Sequence, residues 1–148
     1  MTSASTFAPR EFLKQLYQVA VKRAQPSYAM GDFMPEPPTK VGARTVVVGA
    51  GKASGAMAQA FEQLWLERYP HSPMSGLVVT RYGHTPPTPE VLIGLQAKRN
   101  KASTSAALDN LGIKIVEAAH PVPDDAGLAA AEKILQSVQG LTADDLVV

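Results

Sequence analysis

Cysteine is absent from the chain. That excludes disulfides, thiol catalysis and cysteine-ligated metal, and it leaves the compartment open. Histidine is scarce, at 3 residues. No apolar run is long enough to span a membrane, and the N-terminal MTSASTFAPREF lacks the apolar stretch of a signal peptide. These absences predict a cytoplasmic protein with no membrane partner. Charge of one sign is not in excess either. The 14 Lys and Arg nearly balance 13 Asp and Glu for a formal net charge of +1, so no basic field points to nucleic acid. No internal repeat or low-complexity segment occurs. What is present is a globular composition, 45% hydrophobic and 18% charged over 148 residues, enough for one domain with a core.

Phe12, Leu13, Leu16, Tyr17, Val19 and Ala20 recur at helical spacing. They predict a leading helix over about Pro9 to Ala24 within a leading unit 9–25, with Pro9 in its first turn and Pro26 beyond its end. Residues 30–43 read as a proline-rich loop. Arg44 to Val48 is a short apolar strand, and Met57, Phe61, Leu64, Trp65 and Arg68 then mark one helical face that Pro70 stops. Gly76 to Thr80, Ile113 to Ala118 and the final DDLVV read as further strands. Val91, Leu92 and Leu95 support a short helix opening near Glu90. The following KRNKASTSAALDN is polar and weakly patterned, which predicts mobility over at least Lys98 to Ser105. Leu128, Ala131, Ile134, Leu135 and Val138 line a last helix closed by Gly140. Strands alternating with helices imply an α/β fold: a mostly parallel sheet with flanking helices in a Rossmann-like three-layer arrangement.

In such folds ligands sit beyond the carboxyl ends of the strands. Three segments of unusual composition fall there: GAGKASG, RYGH and HPVPDD. Gly49 and Gly51 let the backbone approach an anion, and N–H groups at a helix start can hold it. Lys52 stands where the helix dipole already places positive charge, so it gains little unless an anion is near. The spacing is neither a Walker A loop nor the dinucleotide fingerprint, because Gly49, Gly51 and Gly55 give GxGxxxG. A glycine turn that merely packs a helix on a strand remains the alternative. Arg81 could clamp a carboxylate with two N–H groups. A solvated loop with a chance His84 is the plainer reading of RYGH. In HPVPDD, Pro121 and Pro123 stiffen the loop and Asp124 or Asp125 can cap the next helix, which leaves His120 less well explained. His84 and His120 lack companions at metal-ligand spacing, so no metal site is predicted. His71 reads as surface.

The segments VVVGAGKASGAMAQAFE, GLVVTRYGH, IVEAAHPVPDDAGLAAAEKIL and LTADDLVV follow one another in an order that resembles glycerate 2-kinases of the MOFRL-associated type (class II). Many members of that family carry the older label hydroxypyruvate reductase. The resemblance runs from about Arg10 to Val148, apart from the middle. It implies a two-domain enzyme that transfers the γ-phosphoryl group of ATP to a glycerate hydroxyl, giving 2-phosphoglycerate, with Mg²⁺ or another divalent cation on the nucleotide. It implies Lys52 as the catalytic cation. It also implies substrate and phosphate contacts from Gly49, Ala50, Gly51, Ala53, Ser54, Arg81, His120, Pro121 and Asp124. Two departures stand out. Residues 85–112 are longer than the family's usual connection and read as an insertion. The chain also stops before a Gly- and Ser-rich phosphate loop and the second domain. Residues 1–148 are therefore expected to be an N-terminal portion, inactive alone and prone to self-association through its open sheet. The alternatives are an NAD(P)H-dependent hydroxypyruvate reductase and a non-catalytic binding domain.

Overall fold

Thr45-Val-Val-Val opens a strand because β-branched side chains suit a pleated surface that is covered on both faces. In the computed structural model, which describes residues 8–102 and 111–148, this strand is β1 (Thr45–Ala50), with Thr45, Val46 and Val47 buried. The described elements in chain order are α1 (Pro9–Arg23), α2 (Pro26–Ala29), a 3₁₀ turn (Gly31–Phe33), β1, α3 (Ser54–Arg68), β2 (Ser75–Arg81), α4 (Glu90–Ala102), β3 (Gly112–Ala118), α5 (Asp125–Ser137) and β4 (Leu146–Val147). All strand pairings are parallel, in the order β3-β2-β1-β4. The α/β sheet with flanking helices expected from the sequence is what forms.

Side-chain parity divides the layers. Val47 and Ile113 point to one face, where they pack with Phe61 and Trp65 of α3. Leu77 and Lys114 are paired across β2 and β3 and point to the other face, near Lys133 and Gln136 of α5. The core cluster joins Val47, Phe61, Trp65 and Met74, with Met30, Met34, Tyr69 and Leu146 against it. Phe61 and Trp65 stack at 5.6 Å between centroids. The buried indole N–H donates to the Ser72 carbonyl at 2.8 Å, which satisfies its one polar atom. The step from β1 to β2 to β3 runs one way across the sheet, and β4 then returns to the far side of β1. The direction therefore reverses between β1 and β4.

Three expectations change. Lys98 to Ala102, expected to be mobile, form the end of α4. The reason is a buried ion pair: Arg99 Nη1 donates to Glu62 Oε1 at 2.7 Å, with the Glu62 side chain 4% exposed. Residues 103–105 of that expectation lie outside the described residues. Gly112 closes the same junction. Its φ is +88°, and a Cβ there would sit 2.8 Å from Glu62 Oε1, so position and conformation both demand glycine. In α5, Leu128 and Leu135 face outward, 62% and 64% exposed, although they were expected to line the core. Gly127 and Ala130 take the inner side instead. The Gly127 backbone comes so close to β3 that an added Cβ would lie 3.6 Å from Ala118 Cβ, and Ala130 is buried. In α3, Met57 is 48% exposed while Gln59 and Glu62 are buried, because α4 and the loop after β2 cover that side. α1 forms as expected but none of its residues is buried. Among the described residues no helix is long and apolar enough to cross a membrane.

The Glu62–Arg99 pair gives the first prediction. Glu62→Leu leaves a guanidinium buried without its carboxylate, a change that costs about 3–5 kcal/mol in comparable sites. Urea unfolding should show that loss, and trypsin should cut after Arg99 far faster in the variant. An unchanged midpoint together with unchanged cleavage would show that α4 is held by other contacts.

Candidate functional site

The turn between β1 and α3 is built by the neighbouring strand. Gly51 adopts φ +143°, open to glycine and strained for other residues. Its N–H donates to the Val79 carbonyl at 3.0 Å, and the Ser54 N–H closes back on Gly51 O at 3.1 Å. The buried Ser54 hydroxyl lies 2.6 Å from Val79 O and 2.7 Å from Gly51 O, with one proton to share between them. Thr80 Oγ1 donates to the Lys52 carbonyl at 3.3 Å. Ser54, which the resemblance places among the phosphate contacts, has its N–H and hydroxyl both turned to protein carbonyls. The N–H groups of Lys52, Ala53, Gly55 and Ala56 take no protein acceptor among the described residues. They open the 15-residue helix α3, whose dipole adds positive charge. Lys52 is exposed beside them, and its ammonium forms no ion pair among the described residues.

This turn forms one wall of a pocket of about 400 Å³. Met30, Met57, Phe61 and Val148 supply much of the rest. The pocket lies at the carboxyl end of β1 beside β4, where the strand order reverses and doubly wound sheets place their ligands. A concavity at the opposite end of the strands, lined by Pro37, Pro38, Lys40 and the exposed His71, shares none of these groups.

The second and third loops meet through Tyr82 and Asp124. The Tyr82 hydroxyl donates to Asp124 Oδ2 at 2.8 Å, and Asp124 Oδ1 accepts the Gly127 N–H at 2.9 Å as N-cap of α5. The cap expected at Asp124 or Asp125 is therefore Asp124. The Gly127 N–H and then the Tyr82 hydroxyl hold the Asp124 carboxyl below its usual range, and the same bond pushes the Tyr82 phenol up. Glu117 accepts the Thr85 N–H at 3.1 Å. Its carboxyl is lowered first by the Thr85 side chain and then by the Gly83 and Thr85 N–H groups. The loop after β2 also touches α3. Buried Gln59 donates to Pro86 O at 2.9 Å, and a Cβ on Gly55 would lie 3.5 Å from His84 O. Arg81, His84 and His120 are exposed at this end, and the His120–Pro121 peptide is cis.

The structure therefore links all three loops: the Lys52 turn to RYGH through Gly55, and RYGH to HPVPDD through Tyr82. Glu117, Gln59 and Met30 were not foreseen as part of this region. One signal existed for Glu117, since it keeps the parity of Ile113 and Ile115 in a strand and so faces inward as a charge. Among the described residues no cluster of three His, Asp or Glu could hold a metal ion.

The lowered acids set a sign for pH dependence. A carboxyl whose folded pKa is depressed stabilises the fold above its unfolded value of about 3.9, and that stability is lost as pH falls through the lower folded value. Asp124→Asn should lower Tm at pH 7, and the gap to the parent should shrink as pH drops below about 4. Thermal melts from pH 7 to pH 2 measure this. A gap that does not change with pH would mean that the cap acts without its charge.

The profile of a family described as "Domain of unknown function (DUF4147)" matches residues 12–148. Two curated relatives from Agrobacterium vitis are both named "Putative hydroxypyruvate reductase". One is 42% identical over 139 residues, covering 94% of this chain and 25% of the relative. The other is 41% identical over 105 residues, covering 71% and 20%. The chain thus spans about a quarter of the length of the curated relatives it matches. No solved structure matches it.

Proposed function

The chain belongs to the DUF4147 family, and we propose that it is the phosphate-facing α/β portion of an ATP-dependent glycerate 2-kinase. The reaction moves the γ-phosphoryl group of ATP to a glycerate hydroxyl. The bond to the β-phosphate oxygen breaks, the hydroxyl loses its proton, and ADP and 2-phosphoglycerate result. The observation that carries this reading is Lys52, exposed and unpaired among the described residues, on a turn that lines the pocket at the strand reversal.

Phosphoryl transfer asks a protein for positioning and charge neutralisation more than for covalent chemistry. The N–H groups of Lys52 and Ala53, on residues that line the pocket, suit phosphate oxygens, and Lys52 adds a full charge where charge shifts between the γ-group and the leaving oxygen. Arg81 and His120 stand at neighbouring strand ends, where a carboxylate or phosphate could be gripped. A divalent cation, when bound, neutralises the phosphate oxygens. Such a cation would be carried on the nucleotide, as in other phosphoryl transfers from ATP.

A second reading is an NAD(P)H-dependent hydroxypyruvate reductase. The relatives' names favour it, and the strand order suits dinucleotides. Against it stand the longer glycine spacing and the end of β2, where Arg81 occupies the region in which an acid normally receives the ribose hydroxyls.

The test needs a full-length enzyme carrying this segment. ATP with glycerate and Mg²⁺ should turn over, and NADH with hydroxypyruvate should not. Lys52→Ala should lower kinase turnover by about 10²–10³, as for loss of one preorganised charge donor, with stability within about 1 kcal/mol of the parent. Reductase turnover without kinase turnover would replace this reading by the second, and a fully active Lys52→Ala would remove the lysine from the site.

A further inference from the structure

A surface helix normally turns its apolar stripe towards the core. The helix α1 does the reverse. At 3.6 residues per turn, Val19, Leu16, Ala20, Leu13 and Tyr17 fall within an arc of about 160°. None of them is buried, and Leu13, Leu16, Tyr17 and Val19 are 64%, 50%, 70% and 58% exposed. The helix meets the described fold mainly through the short α2, and it does so with its polar side. The Lys22 ammonium sits over the Tyr28 ring, 4.9 Å from its centroid. Lys22 lies about 140° round the helix from the middle of the stripe. The stripe therefore points away from α2.

A helix of 15 residues is marginal in water, and in proteins the packing of its apolar face is what sustains it. The ends of α1 carry good local signals: Pro9 and Glu11 in the first turn, Lys22 and Arg23 in the last. They shape the helix but do not replace the packing that its stripe lacks among the described residues. Size decides between two ways of supplying it. The footprint of such a stripe is about 22 Å by 10 Å. Two of them, pairing one copy of the chain with another, fall well short of the roughly 1,200 Å² that stable complexes bury. A partner on the same polypeptide needs less area, because the tether raises its effective concentration to about the millimolar range. The relative that is 42% identical covers 94% of this chain, yet the match takes up 25% of that relative, so about three quarters of such a polypeptide lies outside it.

We propose that α1 is a docking helix whose stripe seats in an apolar groove of the same polypeptide, on the part that the relatives carry outside the matched segment. Leu13, Leu16, Tyr17 and Ala20 stand at i, i+3, i+4 and i+7, the spacing of anchors in helix-in-groove recognition. Arg10, Lys14, Lys22 and Arg23 outnumber the single acid Glu11, so the rim of that groove is acidic. None of this depends on which reaction the whole polypeptide performs.

The experiment compares amide hydrogen exchange in the 148-residue chain and in a full-length polypeptide carrying this segment. Residues 9–24 should exchange about 100-fold more slowly in the long form, while β1, β2 and β3 are protected in both. Leu13→Gln with Leu16→Gln should leave the Tm of the 148-residue chain unchanged, as at an exposed site, and should abolish the added protection in the long form. Leu16→Met, which keeps the apolar anchor, should retain it. The comparison of the two parent forms needs no variant, so it stands even where a variant fails to fold. Equal exchange of residues 9–24 in both forms would overturn the proposal, as would a double variant that lowers Tm in the 148-residue chain. Protection that arises in the 148-residue chain alone, with a dimer by light scattering, would give the stripe to a second copy instead. Protection that arises only on vesicles of phosphatidylserine and phosphatidylcholine would give it to a membrane surface, and either result would also overturn the proposal.

Discussion

The end of β2 decides the shape of the site. The carbonyl of Val79 accepts the Gly51 N–H and lies within reach of the Ser54 hydroxyl, and the Thr80 hydroxyl holds the carbonyl of Lys52. These contacts take up the polar groups that would otherwise leave the turn loose, and they do so from a strand that β1 and β3 flank on both sides. A buried polar group without a partner costs more than a made bond contributes. The turn therefore has little freedom to reorganise while the sheet is intact. The spare N–H groups of the turn are spare because their neighbours are already committed.

The same economy runs through the other two loops. Asp124 caps α5 and receives Tyr82, and Glu117 accepts the Thr85 N–H of the loop after β2. At the opposite end of the strands, Asp145 gathers the N–H groups of Arg44 at 2.6 Å and Thr142 at 2.7 Å, which holds its carboxyl below the usual range and seats β4 beside β1. These acids are structural, and each accepts at least one backbone donor; Asp145 also lies 3.8 Å from the Arg44 guanidinium. At the carboxyl ends of the strands, Lys52 and Arg81 form no ion pair among the described residues.

Much of this fold was legible in the sequence, because period-2 and period-3.6 apolar patterns report strands and helices directly. The strands and both long helices around GAGKASG and HPVPDD were readable, as was the convergence of three loops at one end of the sheet. What periodicity does not report is which side of an element meets a neighbour. In α5 the larger apolar residues Leu128 and Leu135 suggested the inner face, yet Gly127 and Ala130 take it, because small residues allow the helix backbone to close on the strand. The polar run around Lys98 concealed a helix end for a related reason. Arg99 is an ordinary surface residue by composition, and only the buried Glu62, 37 positions away in sequence, makes it part of the interior. Long-range pairs of this kind leave no local pattern. Ser54, which the resemblance places in an anion-binding loop, has its hydroxyl beside the carbonyl of Val79, a neighbour that no local pattern reports.

Topology and chemistry separate at the last step. A 3-2-1-4 parallel sheet with a glycine turn after its first strand provides a place for phosphate whether the ligand is a dinucleotide or a nucleoside triphosphate. The fold thus supports both readings equally, and a fold alone does not assign a reaction. The choice falls to two side chains. A dinucleotide enzyme of this architecture benefits from an acid at the end of β2, where ribose hydroxyls arrive, and has no need of an added cation at a helix start that is already positive. Here the end of β2 carries Arg81, and the helix start carries Lys52. These two positive charges are the feature on which the proposed phosphoryl transfer and the reductase reading divide.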